Sequence, residues 1–155
     1  MSPGTFAAWV EPLALRLAQS RREIAKVVSE VSADAWNKPS AYAGWSYKDH
    51  LSHLPESHRG VQAVLQAFVD GRDPDFSRFD RINDINEENR QKHLATPVKE
   101  LLTATEESEK TESILSDLSA EQADLRLGPM TLSQAIHGFS MHDDAHIEEI
   151  RKALS

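Results

Sequence analysis

Apolar residues recur at spacings of three and four along most of this chain, and no run alternates with period two for long enough to make a useful strand. From about residue 5 to residue 31, Phe6, Val10, Leu13, Leu17, Ile24, Val27, Val28 and Val31 form one stripe and predict a first helix. Pro12 belongs near its start or at a kink, because proline lacks the N–H that an interior turn needs. The stretch SADAWNKPSAYAG reads as a loop with a turn of helix after Ser32. A second helix opens at Ser46, where Ser46-Tyr47-Lys48-Asp49 approximates a capping box. Leu51, Leu54, Val61, Leu65 and Phe68 carry its stripe as far as Gly71, and Pro55 is expected to bend it. GRDPDFSRFD reads as a loop, and the polar RINDINEENRQKHLA after it as a short helix or a mobile flap.

Thr96-Pro97 is a start signal, with a cap residue followed by proline at the first helical position. The third helix is expected to reach Leu118, with Val98, Leu101, Leu102 and Thr105 inward at one end and Ile114, Leu115 and Leu118 at the other. Its middle, EESEKTE, is polar enough to face solvent or a wide cavity. Thr131-Leu132-Ser133-Gln134 is a second capping-box match, opening a last helix to about Leu154. Four main helices joined by loops imply an all-α four-helix bundle, and 155 residues fit a single domain spanning 1–155.

Composition narrows the chemistry. With 25 acidic and 17 basic residues the formal charge is −8, and no basic face is visible, so nucleic-acid binding is disfavoured. No segment approaches the length of a membrane span, and the start lacks the basic and apolar regions of a signal peptide, so a cytoplasmic protein is expected. Cysteine is absent, which excludes a thiol nucleophile and leaves His, Asp and Glu as the available metal ligands. Trp9, Trp36 and Trp45 read as core or staple residues, and Met130 and Met141 as packing. No phosphate loop, nucleophile elbow or calcium loop is present.

Seven histidines remain. In the last helix, which includes FSMHDDAHIEEIRKAL, Leu132, Ile136, Phe139, Ile150 and Leu154 define the buried stripe. His146 falls inside that stripe and His142 on its flank, about 40° away, whereas His137 lands on the solvent side. Two imidazoles one turn apart can reach one cation, but a functional site generally needs a third protein ligand. The second helix offers His50, His53 and His58. Periodicity does not choose among them, although His50 and His58 lie closer to the apolar stripe and His50 has a slight lead.

Two blocks resemble the DinB/YfiT-like superfamily of metal-dependent four-helix-bundle proteins. That superfamily includes the metal-binding domain of mycothiol-dependent maleylpyruvate isomerase, bacillithiol transferases and cyclopropane hydrolases. One block is Gly44-Trp45-Ser46-Tyr47-Lys48-Asp49-His50-Leu51-Ser52-His53-Leu54, with a histidine eight residues after the tryptophan. The other is His142-Asp143-Asp144-Ala145-His146, followed by Ile147 and closed by Ile150. The resemblance implies a DinB-type bundle and a divalent ion held by His53, His142 and His146, with the register selecting His53 over His50.

An all-nitrogen site suits Zn, Ni, Fe or Mn. The resemblance implies thiol S-transfer, with a low-molecular-weight thiol as cosubstrate, or hydrolysis, acting on a small electrophilic metabolite or xenobiotic. Glu56 is a weak candidate for a base and equally reads as a solvated residue. Asp143 points back toward the bundle and could orient an imidazole N–H, or lie as a charge at its edge. The alternative is a metal-free bundle that binds an apolar ligand or self-associates as a homodimer.

Overall fold

The computed structural model describes residues 6–154, so the expected start of the first helix at Thr5 lies outside the described residues. The architecture is an all-α bundle. Helix α1 (Glu11–Glu30) begins with Pro12 in its first turn, where a missing N–H costs nothing. Phe6, Ala7 and Trp9 precede that helix and still pack on the core. Helix α2 (Tyr47–Val69) has the anticipated capping box: Ser46 Oγ accepts from Asp49 N at 3.2 Å, and Asp49 Oδ2 accepts from Ser46 N at 2.8 Å. It runs through Pro55 as one helix.

The polar stretch left open between helix and flap folds into α3 (Ile82–Lys92), entered through a 3₁₀ turn at Ser77–Arg81. It lies against α2, with Arg90 3.6 Å from Asp49 and His93 Nε2 2.9 Å from Glu56 Oε1.

The third helix is not one rod. It comprises α4 (Val98–Glu106), a 3₁₀ turn at Glu107–Glu109 and α5 (Lys110–Leu115), and Pro97 is its cap rather than its first residue. The middle expected to face solvent or a wide cavity does so only in part: Glu106, Glu107, Glu109 and Lys110 are exposed. Ser108, Thr111 and Glu112 are buried. Glu112 is ion-paired to Arg21 of α1, which also donates to Ser108 Oγ at 3.2 Å. On that one face the polarity is that of an interior layer.

Two short strands, β1 (Arg126–Leu127) and β2 (Met130–Thr131), form a hairpin before α6. Gly128 at φ +62° fills the first central position of its turn, as a type II′ hairpin requires. Helix α6 (Leu132–Arg151) starts on its own capping box, Thr131 with Gln134, and tightens into a 3₁₀ turn at Lys152–Leu154. Leu154 is exposed rather than part of the buried stripe, and Met130 and Met141 are half-exposed rather than packed.

The core has two apolar ends. Leu13, Leu17, Leu65, Leu115, Leu132 and Ile136 fill one, and Ile24, Val27, Leu51, Leu54, Ile147 and Ile150 the other. Between them lies a buried polar layer of Ser20, His58, Thr111, Glu112, Ser140 and Asp143. Among the described residues, no helix is long and apolar enough to cross a membrane.

Candidate metal centre

Helices α2 and α6 pack side by side, and their facing turns bring three of the singled-out histidines together. His53 Nε2 and His142 Nε2 are 3.2 Å apart, and His146 Nε2 and His142 Nε2 are 3.1 Å apart. One nitrogen from each of the three lies within 4.8 Å of the others. Two metal–nitrogen bonds of about 2.0–2.1 Å at a tetrahedral angle hold their nitrogens roughly 3.3 Å apart, so the spacing suits one small cation.

His50 is fully buried and does not join this group. Its Nδ1 lies 2.8 Å from Nδ1 of His146, and its Nε2 3.0 Å from Ser40 Oγ. The direction of these bonds follows from Ser40. Its hydroxyl donates to Trp45 O at 2.9 Å and accepts from Tyr42 N at 3.1 Å. Having spent its one proton, Ser40 can only accept from His50 Nε2–H. His50 Nδ1 is then an acceptor and takes the proton of His146 Nδ1. The Nε2 lone pair of His146 is thereby left facing His53 and His142.

A loop that reads as a plain connection builds this arrangement. Gly44 at φ +82° turns it, Trp45 O accepts from Ser40 N at 2.8 Å, and Glu149 Oε1 accepts from Ala41 N at 2.7 Å. Trp45, read as a core or staple residue, walls the site: its ring lies 5.1 Å from His50 and 5.4 Å from His53, and stacks near-parallel on His146 at 6.1 Å. Trp36 does sit in the core, and Trp9 donates to Ser119 O at 2.9 Å.

On the other side of the group is Asp143, buried as its position on the wheel suggested. Its Oδ2 accepts from His58 Nε2 at 2.7 Å. His58 Nδ1 lies 2.8 Å from Thr111 Oγ1, which also accepts from Gln62 Nε2 at 3.0 Å. The carboxylate therefore orients His58 directly, and not one of the three converging imidazoles. Its second oxygen, Oδ1, is buried without a partner, as is Nδ1 of His142, and the two are 4.0 Å apart. These orphans provide a test of fit. A cation on His142 Nε2 requires the proton on Nδ1, which places a donor beside the one unsatisfied carboxylate oxygen. The residues present fit such an ion.

The electrostatics agree. Burial, reinforced by the neighbouring imidazoles, lowers His53 to about 4 and His146 to about 2. Burial also lowers His50. These rings stay neutral at physiological pH, as ligation demands. Burial raises the Asp143 carboxyl, but His142 and His58 beside it outweigh that effect and hold it below its ordinary value. Burial likewise raises the Glu56 carboxyl, and His93, Arg59 and Lys92 more than offset this and hold it below its ordinary value.

A cavity of about 330 Å³ opens onto His53 and His142 and is also lined by Glu56, Arg78, Asn86 and Asn89. Arg78 comes from the stretch read as a loop, and Asn86 and Asn89 from the stretch read as a short helix or a flap, which is helix α3. His137 is exposed, as the wheel indicated, and Glu148 is exposed and paired with Arg151.

Searches of the curated proteins and of the solved structures give no match. The family described as the mycothiol maleylpyruvate isomerase N-terminal domain matches residues 17–146, an interval that contains both histidine blocks. The chain belongs to that family, and through it to the DinB/YfiT-like superfamily.

Proposed function

We propose that this chain is a metal-dependent enzyme that holds one divalent transition-metal ion through the Nε2 atoms of His53, His142 and His146. It acts on a small electrophilic molecule by thiol transfer or hydrolysis. The observation that carries the reading is the convergence of three imidazoles, with His142 Nε2 3.2 Å from His53 Nε2 and 3.1 Å from His146 Nε2, beside an open cavity lined by His53 and His142. A divalent ion there would acidify a water or a thiol and polarise an electrophile. Three protein ligands leave room in its coordination sphere for such a group.

The chain's own residues supply the rest. His50 and Ser40 fix the proton of His146 on Nδ1. The Asp143 carboxylate, with Oδ1 4.0 Å from Nδ1 of His142, favours electrostatically the proton that ligation would leave on that nitrogen. Trp45 covers the His146 face and restricts water there. Glu56, held by His93, Arg59 and Lys92, shapes the cavity wall without taking a proton.

Thermal unfolding with and without Zn²⁺ or Ni²⁺ tests this reading. At about a hundredfold excess over Kd the expected stabilisation is about 2.7 kcal/mol, or roughly 5–10 °C in Tm for a chain of this size. His142→Gln should abolish the shift. The competing reading is a metal-free bundle for an apolar ligand, favoured by an apolar groove of about 570 Å³ beside the site. It requires a Tm insensitive to metal and to chelator in both proteins.

A further inference from the structure

The cavity over the histidines contains a cation that none of the described residues answers. Arg78, in the 3₁₀ turn before α3, is partly buried and has no hydrogen bond or ion pair among the described residues. Its guanidinium lies across Gly60 of α2: a Cβ built on that glycine would stand 3.1 Å from Cζ and Nη1 and 3.3 Å from Nη2. Gly60 is buried in a helix interior, where glycine is otherwise unfavourable. The absent side chain is what lets the guanidinium rest flat on the helix beside His53 and His142.

The other charges around the cavity are already spent. Glu56 is answered by Arg59, Lys92 and His93, and Arg90 and Arg81 of the same segment pair with Glu87 and Glu88. A guanidinium offers a planar fork of donors that matches a carboxylate with two parallel bonds. Left partly desolvated and unpaired, it favours a ligand that brings the missing acceptors.

Beyond Arg78 the surface turns apolar. Val61, Phe79 and Phe139 line both this cavity and the neighbouring groove of about 570 Å³, which Phe76, Leu127 and Met130 continue. Phe76, Phe79 and Met130 are 40%, 47% and 46% exposed, a solvent-facing apolar cluster at the edge of a site rather than in a core. Both volumes fall in the range of small-molecule sites.

We infer that the substrate of this site is an amphiphilic carboxylate. Its anionic group is bound by Arg78 over Gly60, and its apolar portion lies in the groove between Phe79, Phe139 and Met130. The assignment rests on the proposed histidine centre for its catalytic meaning, but not for binding, since Arg78 and the groove are complete without a metal.

Octanoate and 1-octanol, matched in chain and differing in charge, are the probes. Calorimetric titrations use chelator-treated full-length protein, with Zn²⁺ binding measured separately on the same preparations. Octanoate should bind wild-type protein at least tenfold more tightly than 1-octanol. Arg78→Gln should remove that preference and leave the 1-octanol affinity within about twofold. Gly60→Ala, whose Cβ would press on the guanidinium at 3.1 Å and shift it by a few tenths of an ångström, should weaken octanoate binding more than 1-octanol binding without lowering Tm. Equal affinity for the two probes, no binding of either, or an octanoate affinity unchanged in Arg78→Gln overturns the inference. So does a dimer that buries the groove and excludes both probes. Because Zn²⁺ binding is read independently in every variant, loss of the metal centre and loss of the carboxylate site cannot be confused.

Discussion

A histidine can bind a metal only through a nitrogen without a proton, so the bond at its opposite nitrogen decides whether the lone pair is offered. For His146 that decision passes through His50 to the Ser40 hydroxyl. The helical wheel placed His50 and His58 closer to the apolar stripe than His53, and both are buried; His50, given a slight lead as the ligand, does not reach the cavity. Periodicity reported depth and could not report which nitrogen faces which neighbour. The pairing with His146 spans 96 residues, and Ser40 lies on a loop without periodicity, so neither was legible in the sequence. Ser40→Ala should free His50 to adopt the opposite tautomer and reduce Zn²⁺ affinity about 10- to 100-fold while the fold is retained. Competitive titration against a chelator measures this, and an unchanged affinity would show that the serine does not set the tautomer.

At the scale of elements, both capping boxes and the proline at the start of α1 were legible because each is a local code, complete within four residues. The third helix was misjudged for the converse reason. The cation that pairs with buried Glu112 is on α1, Arg21, 91 positions away, and no local pattern records that pairing. Burial raises the Glu112 carboxyl and Arg21 opposes it. Removing only the cation leaves an uncompensated charge between the two apolar ends of the core. Arg21→Met should therefore cost about 3 kcal/mol in denaturant unfolding, and adding Glu112→Leu should recover most of the loss. Equal stability of the single variant and the wild type would place the pair in solvent.

For the molecule as a whole, the histidine cluster makes the metal-free protein sensitive to acid. The folded-state values of His53 and His146, about 4 and about 2, lie below the ordinary 6.5. Between those limits the unfolded chain binds protons that the folded chain refuses. Stability is therefore complete above about pH 6.5 and declines as pH falls toward 4. From pH 7 to pH 5 each of the two histidines should remove on the order of 1–2 kcal/mol, and His146→Gln should flatten the profile. A profile identical in the variant would contradict the assignment of neutral, buried rings. The fold itself was readable at this scale, since four apolar stripes and the loops between them sufficed to indicate the bundle.

The central claim is that α2 and α6 together hold one ion. Equilibrium dialysis against Zn²⁺ followed by elemental analysis tests it most directly, on wild-type protein and on His53→Gln, His142→Gln and His146→Gln. The account predicts one ion per chain in the wild type and its loss, or a large drop in affinity, in each variant. A wild type that retains no metal, or variants that retain it equally well, would contradict it.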